Sequence, residues 1–217
     1  MIIINFKIYR ETFGEGAIQL GRICKEVSEK SGIRIVVATS AIDAVRVKNE
    51  TGAEVWLQSV DEYSQGKATG WISMDQARAL GVTGSLLNHS EHQKPKGTVL
   101  KIIKSKPDGF ELMCCVKSTG QIESWANAAK PDWILYEPPE LIASKDKSVA
   151  TEKPEVISNA AKLAKDCKLI VGAGVKSKKD VEVSLKMGAV GVGLSSAFVL
   201  SSNPKELLEE IADGFSV

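Results

Sequence analysis

The run Leu169-Ile170-Val171-Gly172-Ala173-Gly174 sets two glycines directly behind a short β-branched strand, late in a chain of 217 residues. Glycine lets backbone N–H groups come close to a phosphate, and a helix starting behind such a turn adds further donors and the favourable end of its dipole. Alone, Gly172-Ala173-Gly174 also reads as a tight strand-to-helix turn. Its position carries the information. An open doubly wound sheet places its phosphate loop after the first strand, as G-x-G-x-x-G or G-x-x-x-x-G-K-[ST], whereas here that turn reads Asn5-Phe6-Lys7-Ile8-Tyr9. Closed barrels frequently build phosphate sites from the loops after strands seven and eight, so the fold turns on how many strands precede residue 172.

Short apolar, mostly β-branched runs recur at 2–4, 33–37, 54–57, 84–87, 110–115, 133–136, 169–171 and 189–192. Helix-period stretches lie between them: Ala17, Leu20, Ile23 and Val27; Ile42, Val45 and Val47; Val99, Ile102 and Ile103; Val156, Ile157, Ala160 and Leu163; Val181, Val183 and Leu185; and a last one at Leu207, Leu208 and Ile211. Continuously apolar strands suit a parallel sheet covered on both faces and joined by right-handed crossovers. Eight such units average about 27 residues, compact for an eightfold barrel. The expected fold is therefore α/β, a (β/α)8 barrel forming one domain over 1–217, with Gly172-Ala173-Gly174 after its seventh strand.

Composition is that of a globular chain, with 43% hydrophobic and 25% charged residues, and the net charge of +1 leaves no broad basic field for nucleic acid or a membrane surface. The apolar start at 1–5 is too short for a spanning helix or a signal peptide, which predicts a cytoplasmic protein. Cys24, Cys114, Cys115 and Cys167 show neither metal-ligand spacing nor a C-x-x-C pair, so small buried residues are expected rather than a zinc site or disulfides. No cofactor is called for.

Active sites of barrels lie at the C-terminal ends of the strands. Asn5 and Lys7 follow the first strand, His89 the fourth, Glu137 the sixth, and Gly193-Leu194-Ser195-Ser196 the eighth. A cation, an imidazole and a carboxylate from separate strands could bind an oxyanion, polarise a carbonyl and remove a proton. Each also has a plainer reading, as a solvated lysine, a structural histidine or a glutamate closing its strand.

Taken together these motifs resemble the triosephosphate isomerase family in its archaeal form. Asn5-Phe6-Lys7 is similar to the family's N-[FW]-K, Asn88-His89-Ser90-Glu91 to its N-H-S-E, and Tyr136-Glu137-Pro138-Pro139-Glu140-Leu141-Ile142 to its Y-E-P-P-E-L-I. Gly172-Ala173-Gly174 resembles its phosphate turn, and Gln65-Gly66-Lys67-Ala68-Thr69-Gly70 the loop that meets a neighbouring subunit. The resemblance implies isomerisation of a small phosphorylated triose, a step of glycolysis and gluconeogenesis. It implies Glu137 as base, His89 as neutral electrophile at the mouth of a helix, Lys7 and Asn5 at the oxyanion, and a homo-oligomer, dimer or tetramer. In that family a carboxylate base is paired with a neutral imidazole. Ile142, Gly174, Ser195 and Ser196 would hold the phosphate, and residues 138 to about 150 would form a lid that keeps water from the enediolate.

The chain departs from the family in three places. The lid lacks glycine at Ala143-Ser144-Lys145-Asp146-Lys147-Ser148, Ser195-Ser196-Ala197 replaces small-Ser-Gly, and His92-Gln93 replaces an arginine pair and the salt bridge it makes. Two alternatives stand beside the isomerase: an aldolase-like barrel with Lys7 as Schiff base, and a non-catalytic barrel that only binds phosphate.

Overall fold

The computed structural model describes residues 1–138, 150 and 154–216. Its strands are β1 (Ile2–Asn5), β2 (Ile35–Thr39), β3 (Glu54–Leu57), β4 (Gly84–Leu87), β5 (Glu111–Val116), β6 (Trp133–Tyr136), β7 (Lys168–Val171) and β8 (Gly191–Leu194). All neighbours are parallel, and β8 pairs back onto β1 through Ile2↔Val192 to Ile4↔Leu194, closing the barrel. The helices are α1 (Glu15–Ser31), α2 (Ala44–Thr51), α3 (Met74–Ala79), α4 (Lys96–Lys104), α5 (Thr119–Ala128), α6 (Pro154–Ala164), α7 (Lys178–Lys186), the short α8 (Ser196–Val199) and α9 (Pro204–Asp213). The expected (β/α)8 barrel is thus the observed fold.

Strand alternation sorts the side chains into two cores. Ile3, Val36, Ala38, Trp56, Leu86, Met113, Cys115, Trp133, Leu135 and Ile170 fill the barrel interior. Their neighbours, such as Ile2, Ile4, Val37, Leu87 and Cys114, pack outward against the helices. Two residues beyond the last interior position on each strand, the same inward register reaches Asn5, Gln58, Asn88, Glu137 and Gly172 at the C-terminal mouth. Two residues before the first, it reaches Arg34, Glu54, Glu111 and Lys168 at the opposite end. There Arg34 pairs with Glu54 and Glu111 and lies 5.8 Å from the ring centroids of both Trp56 and Trp133.

The four cysteines are buried, as expected, and burial pushes the Cys114 thiol up to about 12. Three readings shift. The eighth strand begins at Gly191, because exposed Val190 lies in the turn leading from α7. The second begins at Ile35. Ile42 is 93% exposed in a turn where Asp43 and Ala44 donate to the Ser40 carbonyl, so α2 starts only at Ala44. Among the described residues no helix is long and apolar enough to cross a membrane.

Candidate active site

The turn after β1 is held in an unusual backbone state. Lys7 has φ 51°, a left-handed conformation that an L side chain adopts at some expense. Asn5 Oδ1 accepts the Lys7 N–H at 3.0 Å, and the Gln58 amide donates to the Lys7 carbonyl at 2.9 Å and to Asn5 Oδ1 at 3.3 Å. Asn5 therefore acts first on Lys7, fixing the turn that lifts its side chain over the barrel mouth. From there Lys7 Nζ reaches Glu91 Oε1 at 2.5 Å.

Glu91 links this cation to the imidazole. Its backbone N–H donates to His89 Nδ1 at 3.2 Å, and its Oε2 lies 3.7 Å from the same nitrogen. A ring nitrogen that accepts a hydrogen bond carries no proton, so the proton of His89 is assigned to Nε2. That nitrogen lies 3.3 Å from Glu137 Oε2. His89 is 7% exposed, so these contacts are made largely away from bulk water. Asn5, Lys7, His89 and Glu137, drawn from three strand ends, thus form one connected set through Glu91.

Gly172 makes room for the carboxylate. A Cβ there would lie 2.9 Å from Glu137 Cγ, 3.0 Å from its Oε1 and 2.8 Å from Leu135 Cδ1. Two residues on, Gly174 has φ 72°. The chain behind it is tied down by buried Asp180, whose Oδ2 accepts the N–H groups of Lys176 and Ser177 at 3.1 Å each and the Ser177 hydroxyl at 2.9 Å. On the adjacent strand end Ser195 caps α8, and its Oγ is buried with no hydrogen-bond partner among the described residues. Ser196 is exposed in the first turn, where backbone N–H groups have no intrahelical acceptor. Ile142 and residues 139–149 of the expected lid, which runs from 138 to about 150, lie outside the described residues.

A model described as triosephosphate isomerase matches residues 1–212. The chain belongs to the triosephosphate isomerase family. It is 36% identical to the triosephosphate isomerase of Methanothermus fervidus, over 97% of this chain and 96% of that protein. The triosephosphate isomerase of Saccharolobus solfataricus is 34% identical over 97% of this chain and 93% of its own, and that of Methanocaldococcus jannaschii 33% identical over 97% and 98%. This triosephosphate isomerase family member is accordingly an isomerase, and of the archaeal type that the motifs resemble.

The expected helix mouth at His89 is replaced by a single turn. His92 N–H donates to the His89 carbonyl at 2.9 Å, and α4 starts only at Lys96. Pro95 explains the difference, because the residue before a proline is pushed out of the helical region. The loop also keeps an ion pair despite the loss of the arginine pair, made by Lys94 and Asp61 at 2.6 Å. Glu91, Gln58 and Asp180 escaped the sequence reading. Glu91 closes the quoted Asn88-His89-Ser90-Glu91 motif but had no role assigned, and Asp180 carries the capping box Ser177-Lys178-Lys179-Asp180.

Proposed function

We propose that this isomerase interconverts D-glyceraldehyde 3-phosphate and dihydroxyacetone phosphate through an enediolate, serving glycolysis and gluconeogenesis. The observation that carries the reading is the approach of His89 Nε2 to Glu137 Oε2 at 3.3 Å, with Nδ1 engaged by a backbone N–H. A substrate seated at the barrel mouth would present the C–H beside its carbonyl to Glu137, which takes the proton and returns it to the neighbouring carbon. His89 Nε2–H gives its proton to the carbonyl oxygen as charge develops there and takes one back from the neighbouring hydroxyl, so one proton moves between the oxygens as one moves between the carbons. Lys7, moved from Glu91 to the substrate, stabilises that charge, and Asn5 keeps Lys7 in place.

The phosphate is assigned to Gly174, Ser195 and Ser196, and the family resemblance adds Ile142, which lies outside the described residues. The Ser195 Oγ, without a partner among the described residues, and the left-handed turn at Gly174 support this placement. A proton moved between adjacent carbons leaves no net redox change, so a carboxylate, an imidazole and an ammonium suffice without cofactor or metal. An aldolase-like imine would require Lys7 as an unpaired, desolvated amine, and its contact with Glu91 is the opposite arrangement.

The chain is taken as one barrel domain over 1–217, in the cytoplasm, working as a homo-oligomer. In favour of association, Trp71 beside the 65–70 loop is 51% exposed with its ring 4.8 Å from that of Tyr63, and Ile8 and Phe13 on the β1 loop are also exposed. Light scattering at micromolar concentration should give more than one chain per particle; a monomer alone would contradict it. For the reaction itself, a coupled assay with either triose phosphate in deuterated water should show turnover and deuterium in the product. Turnover without any deuterium would contradict proton transfer through an exchangeable carboxylate.

A further inference from the structure

We propose that Lys94 is a positioning residue for His89, acting through Asn88 and fixed by its ion pair with Asp61. The proposal rests on the reading of His89 as the electrophile, and concerns what sets the direction of that side chain.

The segment from Asn88 to Pro95 cannot be held by helix hydrogen bonds, since the described structure there contains one turn and the helix begins behind the proline. Something else has to fix it. Asn88 adopts φ 60°, a left-handed state that asparagine tolerates better than most residues, immediately before the histidine. Small changes at that residue swing the His89 ring relative to Glu137. Asn88 Oδ1 is itself held by the Lys94 N–H at 3.1 Å, which closes the loop six residues on.

Lys94 in turn is anchored. Its Nζ donates to Asp61 Oδ1 at 2.6 Å, and the two side chains are only 10% and 13% exposed. Asp61 is committed on every side. Its Oδ2 accepts the Ile72 N–H at 2.9 Å, and its own N–H donates to the Ile72 carbonyl at 2.9 Å, closing the 61–72 excursion between β3 and α3. One ion pair therefore joins the closed base of that excursion to the closed base of the loop carrying the imidazole. Exposed ion pairs have little structural effect, but a pair this far from water leaves an uncompensated charge when one member is removed. The loop is expected to shift rather than bury it. The excursion includes residues 65–70, so a neighbouring chain docked there would bear on His89 through the same contact.

The test compares kcat and KM for purified full-length wild type, K94M, K94R, D61N, H89Q and the double variant H89Q/K94M, with circular dichroism and Tm for each. K94M and D61N should fold and keep their affinity for inorganic phosphate, while kcat falls about 10-fold or more because the reacting geometry is displaced. K94R, which keeps the charge, should recover most of that loss. In the H89Q background K94M should lower kcat no further, since both substitutions act on the same imidazole. Wild-type kcat in folded K94M would overturn the proposal, as would a K94M effect that multiplies fully with that of H89Q. Wild-type kcat in H89Q would instead remove the histidine reading itself, and the proposal with it.

Discussion

Gly172 and Glu137 are packed so that no side chain fits between them: a Cβ on Gly172 would lie 2.9 Å from Glu137 Cγ and 3.0 Å from its Oε1. The glycine that reads as part of a phosphate turn thus serves the carboxylate first. G172A should displace Glu137 by some tenths of an ångström, lowering kcat about 10-fold or more with little change in KM. It should also destabilise the barrel by roughly 1–3 kcal/mol through overpacking. Steady-state kinetics beside a thermal melt would check this, and an unchanged kcat would show that the base sits elsewhere during turnover.

The phosphate end can be probed separately from the chemistry. G174V forces a β-branched residue into φ 72°, so inorganic phosphate and 2-phosphoglycolate should both bind at least about 10-fold more weakly. S195A removes a buried hydroxyl that has no partner among the described residues and should weaken both ligands by a smaller factor. Isothermal titration reads the two together; unchanged affinities in G174V would move the phosphate away from this turn.

At the far end of the barrel the expectations concern stability alone. Burial pushes the Glu111 carboxyl up, but hydrogen bonds from Arg34 and Trp133 and the Arg34 charge outweigh it and hold the group below its ordinary value. Such a group adds stability above its unfolded pKa of about 4.3, and loses it as pH falls through the folded value. R34M should therefore lower stability by about 1–2 kcal/mol near neutral pH, between the values for exposed and buried pairs. The difference from wild type should shrink below about pH 4. Turnover at neutral pH should not change, because this face lies opposite the strand ends that carry the site. Denaturant titrations at several pH values, paired with the coupled assay, would decide; a fall in kcat with unchanged stability would contradict this assignment.

The fold was legible because eight apolar runs alternate with helical periods, and the late position of Gly172-Ala173-Gly174 chose the closed barrel over an open sheet. Boundaries were less legible. Val190 is β-branched yet lies outside β8, since what ends a strand is the register of its neighbours rather than propensity. At the site, residues of chemically capable type, Lys7, His89 and Glu137, stood out at their strand ends. Gln58 and Glu91 did not, because their roles come from contacts across 51 and 84 residues of sequence. The turn in place of a helix at His89 was readable in principle from Pro95, whose effect on the preceding residue is local.

Proton transfer by Glu137 is tested at its root by kcat of E137Q with D-glyceraldehyde 3-phosphate in the coupled assay. Glutamine keeps the size and the contact with His89 but cannot accept the proton. kcat should fall about 10²-fold or more, with binding of inorganic phosphate preserved. Isomerisation by E137Q near the wild-type rate would contradict it.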